Sequence, residues 1–233
     1  KKKIMKKQII KISIGLFLCS LFSVIKAQNV NVDMVTELNL MSKNISSKIT
    51  AEGSPYINET FSQTRIAQYK DRVYSARYNA YNGEMEVMTN DSKVIALDNN
   101  GDFEITFTSP KKIYRTISYV TDNNTSKRGF LVVLSDNDNN SLFKEEHIKY
   151  YEKVEALSSY QQDKPAKFNR VDDSYYIKMN EKVTFVPQKK KDFLKAFPEH
   201  ASKLKSHMKT NKLNPKNEDE LVKIVNYLST ISQ

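Results

Sequence analysis

A chain of 233 residues is long enough to bury a core of its own, and its single cysteine, Cys19, excludes a disulfide framework. Five glycines supply neither a Gly-rich phosphate loop nor a Gly-x-Ser-x-Gly nucleophile turn. The formal charge of +10 suggests an anionic partner, but its distribution decides whether that suggestion survives.

Residues 1–27 read as a secretory signal peptide: Lys1 to Lys11 is basic, Ile12 to Ile25 is apolar, and Lys26-Ala27 precedes a polar chain. That apolar run is shorter than the ~20 residues a spanning helix needs. Met5 is a more natural start than Lys1, and cleavage is expected after Ala27. A lipoprotein anchored through Cys19 is the rival, but Leu16-Phe17-Leu18 is bulky where a lipoprotein cut needs small residues. The leader carries seven lysines and no acid, so the charge falls to +3 on its removal and nucleic acid loses its support as a partner. What remains is a basic end, +5 over residues 187–233, on a body of −2. A solvated lysine face on amphipathic helices accounts for it, and at most it makes a peripheral contact with anionic lipid or an acidic partner.

Residues 28–52 read as a polar arm with one short helical spacing, Met34, Leu38 and Met41. Runs rich in Val, Ile, Thr, Tyr and Phe then recur between turn formers, which predicts an antiparallel β domain over 53–187. Strands are expected near 64–69, 73–81, 84–89, 92–97, 103–108, 112–120, 128–135, 141–150, 171–179 and 182–187. Asn82-Gly83 reads as a two-residue turn with positive φ at both central positions. Asn99-Asn100-Gly101 is longer and should absorb a side chain at Gly101, and Asn180-Glu181 is a further turn. Phe130 to Leu134, apolar on both faces, reads as a central strand. Residues 152–170 read as an exposed loop.

Past Pro187 the period changes to that of a helix. Residues 188–233 are expected to form a helical segment packed on the sheet as a hairpin: Lys189 to Phe197, then a helix from Pro198 with Phe197, Ala201, Leu204 and Met208 on one face. A last helix follows, capped by Asn217 with Glu220 as a capping box, its stripe Leu221, Ile224, Val225, Leu228 and Ile231.

Few residues carry chemistry. Asp136 to Asn140 spaces oxygen ligands as a calcium loop does, but Ser141 stands where glycine is needed and His147 where a bidentate glutamate is needed. His200 and His207 stand about 10 Å apart on one helix, so no metal site and no cofactor is predicted. Glu84, Glu86 and Glu104 fall on strands, where solvent-facing positions explain them better than acid–base work. Tyr74, Tyr78 and Tyr81 are the candidate ligand- or partner-facing residues, although tyrosine also suits half-buried strands.

Gly53 to Asn58, and Arg77 to Asn82 running into Glu84-Met85-Glu86-Val87, resemble small exported envelope proteins of the Bacteroidota. Lys189 to Leu194, Asn211-Lys212-Leu213 and Glu218 to Tyr227 are similar to the helical ending of the same proteins. The resemblance implies a periplasmic or outer-membrane-facing location and brings no catalytic residues. By analogy with accessory subunits of outer-membrane machines, it also implies an envelope protein partner.

The expectation is therefore an α+β fold, an antiparallel β sandwich or curled sheet with a C-terminal helical hairpin, in a non-catalytic envelope protein that binds another protein. A small-ligand or glycan binder, or an unrecognised hydrolase, using the tyrosine-rich strands is the alternative. Circular dichroism of the exported chain should be dominated by strand; a helix-dominated spectrum would overturn the class.

Overall fold

Alternation of side chains along two strands determines the architecture, because each of them serves two cores at once. The computed structural model describes residues 42–43, 45–69, 72–89, 92–137, 140–156 and 161–232. The leader, the Met34–Met41 spacing and the turn residues Asn90 and Asp91 lie outside the described residues.

The first strands are β1 (Ser42–Lys43), β2 (Ser62–Ile66), β3 (Tyr74–Asn79), β4 (Glu84–Met88), β5 (Val94–Leu97) and β6 (Glu104–Thr108). They are followed by β7 (Lys111–Val120), β8 (Ser126–Asp136), β9 (Asn140–Glu145), β10 (Ile148–Tyr151), β11 (Lys167–Arg170), β12 (Ser174–Met179) and β13 (Lys182–Phe185). Three helices close the chain: α1 (Lys190–Ala196), α2 (Ala201–Thr210) and α3 (Glu218–Ile231). The protein is thus mostly β and mostly antiparallel, with helices at its end.

The large sheet runs β1-β5-β4-β3-β2-β6-β7-β13-β12-β9-β8, and β8 also pairs with β7. Strands β7, β8, β9, β12 and β13 therefore close a five-stranded ring, from which the other six extend as an open sheet. The ring is closed by the parallel pairing of β13 with β7 at Thr184 and Val120. Tyr119, Leu131, Phe143, Tyr176 and Val183 form one buried cluster with Ile117, Val133 and Phe185 packed against it. Every ring strand contributes to it, so this cluster fills the interior. Their neighbours Leu142, Tyr175 and Ile177 point outward and join Phe193, Leu204, Leu221, Ile224 and Leu228 of the helices in a second core. A register shift on β8 between Val133 and Ser135 accommodates both, leaving Leu134 to pack against the helices.

The helical termini follow the sequence with one change. The Asn217 side chain accepts from the Glu220 amide at 3.1 Å, but the Glu220 carboxylate turns away to accept from the Asn214 amide at 2.6 Å. The capping box is half formed. Glu218, in the first turn, accepts from the Tyr175 hydroxyl at 2.9 Å and pairs with Lys144 at 2.7 Å, fastening the helix start to the ring.

Three strand expectations are corrected. The run 141–150 is two strands, β9 in the ring and β10 outside it, separated at Glu146-His147. The expected loop 152–170 contains β11, which pairs with β10 as a separate two-stranded sheet. Third, Asn82-Gly83 is not a two-residue turn: Asn79 pairs with Glu84, so four residues form the loop, and of these only Gly83 has positive φ, at 69°. The Asn79 side chain accepts from the amides of Tyr81 and Asn82, while the amides of Ala80 and Tyr81 also donate to the Pro55 carbonyl. Those bonds take the end of β3 away from β4. Because the displacement is by two positions, every side chain stays on its expected face. The two-residue turn with positive φ at both positions is instead Asn180-Glu181, at 47° and 66°, between the paired Met179 and Lys182.

Gly83→Val should cost about 1–3 kcal/mol in urea unfolding, from a β-branched residue held at positive φ. Gly101 does not have the slack expected of its turn: a Cβ there would lie 2.5 Å from the ring of buried Phe103. Gly101→Val should therefore lose a similar ~1–3 kcal/mol by overpacking. Glu181→Gly should raise stability by about 0.5–1 kcal/mol, since glycine relieves the left-handed strain at some cost in chain entropy.

Candidate functional site

Opposite charges facing each other across the β3–β4 ladder seed the most developed site. Arg77 lies opposite Glu86 in the register, and Glu86 is 1% exposed. An unpaired carboxylate so placed would be very costly, and it is fully engaged: the Arg77 guanidinium reaches it at 2.7 Å and the Tyr56 hydroxyl donates to it at 3.0 Å. Arg77 also donates to the Tyr56 oxygen at 2.8 Å and lies over the rings of Tyr56 and Phe61, at 3.8 and 4.4 Å. Burial, and then the Glu86 hydrogen bond and charge, push the Tyr56 phenol up to about 12. Two positions along β4, Glu84 is also buried, accepting from the Ser46 hydroxyl at 2.7 Å and pairing with Lys43 at 3.4 Å. The expectation of solvent-facing carboxylates is thus corrected for Glu84 and Glu86 and holds for half-exposed Glu104, which pairs with Arg115.

These contacts hold the segment 45–56 across one face of the sheet. At one end β1 pairs with β5 and Ser46 is held by Glu84. At the other, Glu52 exchanges backbone bonds with Ala166 and Phe168, and Ile57 donates to the Tyr78 carbonyl. Gly53 makes this close approach possible: its φ is 75°, and a Cβ would stand 2.6 Å from the Phe168 carbonyl oxygen. Beneath the segment lies a cleft of about 600 Å³, floored by Arg77, Asn79, Glu86 and Val94 and walled by Tyr81 and Phe168, whose rings meet edge-on at 5.2 Å. That volume falls within the ~300–1,000 Å³ of ligand-binding sites.

The three tyrosines singled out from the sequence do not converge. Tyr81 lines the cleft and is partly exposed. Tyr78 is buried against Tyr114 at 4.9 Å and borders a smaller cavity of about 260 Å³ with Phe107 and Lys112. Tyr74 lines neither and packs against Tyr69. Sequence reasoning missed Tyr56, Arg77 and Phe168, and it set Glu86 aside as a solvent-facing strand residue. The signal was present: with four loop residues instead of two, Arg77 falls opposite Glu86 rather than Met88.

Two further polar clusters serve the fold. Glu145, at the end of β9, accepts from the Tyr119 hydroxyl at 2.8 Å and the Tyr176 hydroxyl at 2.7 Å. His147 Nε2 lies 3.1 Å from Ser174 Oγ and 3.6 Å from the same glutamate. The carboxylate thus approaches the nitrogen that faces the serine, whereas a nucleophile relay needs it on the other one. Glu146 is buried and bonded to Lys112 at 2.9 Å, to Arg170 at 3.5 Å and to the Tyr114 hydroxyl. Burial opposes its ionisation, yet the Lys112 charge and the bonds from Tyr114 and Lys112 outweigh it and hold the carboxyl below its ordinary value. Among the described residues no group of three His, Cys, Asp or Glu side chains could hold a metal ion.

No protein-family model matches the chain, no curated protein matches its sequence, and no solved structure matches its fold.

Removing one member of the cleft pair should be costly: Glu86→Gln is expected to lose about 3 kcal/mol in urea unfolding, by leaving Arg77 without its buried partner. Two titrations should bracket the stability. A depressed Glu146 contributes stability that is present above its unfolded pKa and lost as pH falls through the folded one, so Glu146→Gln should flatten the acid limb below about pH 4.5. A raised Tyr56 contributes stability that is present below the unfolded value of 10.0 and lost as pH rises through about 12, so Tyr56→Phe should flatten the alkaline limb.

Proposed function

We propose that this is a non-catalytic protein of the bacterial cell envelope, exported to the periplasm or the periplasmic face of the outer membrane, that acts by holding a protein partner in the cleft under residues 45–56. The carrying observation is the chemistry of that cleft. Arg77, Glu86 and Tyr56 satisfy one another, which suits a surface that holds a guest without transforming it. The leader-like residues 1–27 and the resemblance to exported Bacteroidota proteins support the address. In this reading the protein is an accessory of an outer-membrane complex, with α2 and α3 as the helical hairpin that ends the chain.

A small-ligand or glycan role is the second reading, favoured by the aromatic wall of Tyr81 and Phe168, since sugars stack on such faces. Tagged full chain, expressed with its own leader, should co-purify a defined protein from detergent-solubilised envelopes in near-equal amount. A saturable thermal shift with a glycan or metabolite, and no co-purifying protein, would replace the first reading with the second.

A further inference from the structure

We infer that the stretch from Ser47 to Ala51 is an open β edge, and that its guest is an extended peptide segment of the partner, added as a strand between this stretch and the face of β3–β4. The inference rests on the protein-binding reading and names how the partner is held. Three observations carry it.

The first is that every residue from Ile45 to Ala51 lines the cleft. The stretch has no helix, turn or bend. In an extended chain successive side chains point to opposite sides, so a single side-chain face would contribute only alternate residues. An unbroken run means that the edge of the backbone itself borders the space. The second is that the backbone groups of Ser47 to Ala51 make no hydrogen bond with another described residue, although the amides of Ser46 and Glu52 at either end are both bonded. A row of open donors and acceptors between two fixed points is the feature that strand addition uses. The third is fit. Five extended residues span about 16 Å at ~3.3 Å each, and the cleft has the volume for a strand of similar length.

The cleft also says which guest. Its buried charges, Arg77 and Glu86, are already paired, so a charged side chain directed at the floor would find no free counterion there; the other charged lining residues, Lys48 and Glu59, are exposed, while Tyr81 and Phe168 offer an apolar wall at the Gly53 end. The segment it fits is therefore extended and uncharged on its inward face, with an aromatic or aliphatic side chain against Tyr81. Affinity comes from main-chain bonds and selectivity from that one contact.

The test uses the full chain and a phage-displayed library of random dodecapeptides as probe. Selected peptides should slow amide exchange at residues 47–51. Lys48→Pro and Thr50→Pro each remove one backbone donor and should weaken binding about five- to tenfold, whereas Lys48→Ala and Thr50→Ala stay within about twofold. Those donors have no partner among the described residues, so the melting temperature of the proline variants should match the unaltered chain. Failure to select any peptide overturns the inference, as does equal binding by proline and alanine variants, protection elsewhere, or protection of 47–51 by chitotriose or cellotriose alone. The two levels separate cleanly: an envelope partner that still co-purifies with both proline variants removes this docking mode and leaves the protein-binding role standing, whereas the absence of any partner for the unaltered chain removes the role itself.

Discussion

Closing five strands into a ring is the constraint on which the rest depends. A strand in an open sheet can leave one face to solvent, but β9 and β12 cannot, because the helices cover them from outside. Phe143 and Tyr176 fill the ring while Leu142, Tyr175 and Ile177 face α1 to α3. The helices therefore dock on strands whose inner faces are already committed, and their position follows from the closure. Strand β7 is the trunk of the arrangement, pairing with β6, β8 and β13. Through β6 it carries the open sheet whose far face holds the cleft, so the most developed site is an outgrowth of the most enclosed core.

Phenol hydroxyls help hold carboxylates in this interior and at its margin, where Glu86 and Glu146 are buried and Glu145 and Glu218 partly so. Glu86 takes a hydrogen bond from Tyr56, Glu146 from Tyr114, Glu145 from Tyr119 and Tyr176, and Glu218 from Tyr175. A tyrosine supplies apolar packing along its ring and one donor at its tip, which suits a strand position where a core meets a buried anion. The coupling runs both ways: burial and the adjoining carboxylates push all five phenols upward. The tyrosine-rich composition thus records internal solvation of glutamates more than a ligand-facing surface, and Tyr81 is the member of the predicted trio that borders the cleft.

Period and turn chemistry carried the legible part of the fold. Of the predicted stripe, Leu221, Ile224, Val225 and Leu228 are fully buried and Ile231 packs partly buried against the same core, and the alternating strands fall within a few residues of expectation. What stayed hidden depends on partners distant in sequence. Nothing local to Asn79-Ala80-Tyr81 announces that the Pro55 carbonyl will claim two amides and lengthen the loop, and the error in pairing concealed the Arg77–Glu86 ion pair. The run 141–150 looks continuous because both of its halves are strands; that they belong to different sheets is a property of β11 and β12, not of the run. Ring closure was invisible for the same reason, since Val120 and Thr184 carry no local mark of meeting.

That meeting is also the weakest ladder of the ring. β13 touches β7 through one register pair, Thr184 opposite Val120, where β8 lies along β7 from Tyr114 to Val120. Local opening starts where the fewest bonds must break, so the ring should breathe at this seam, with β13 drawing away from β7 while it stays paired with β12 from Tyr176–Phe185 to Met179–Lys182. An opened seam uncovers Val183 and Phe185 and leaves β13, still paired with β12, with an open edge facing a vacant β7 edge. Two copies opened together could each set the open edge of β13 against the other's β7, so the route by which this protein would associate edge to edge is written into the least bonded joint of its barrel.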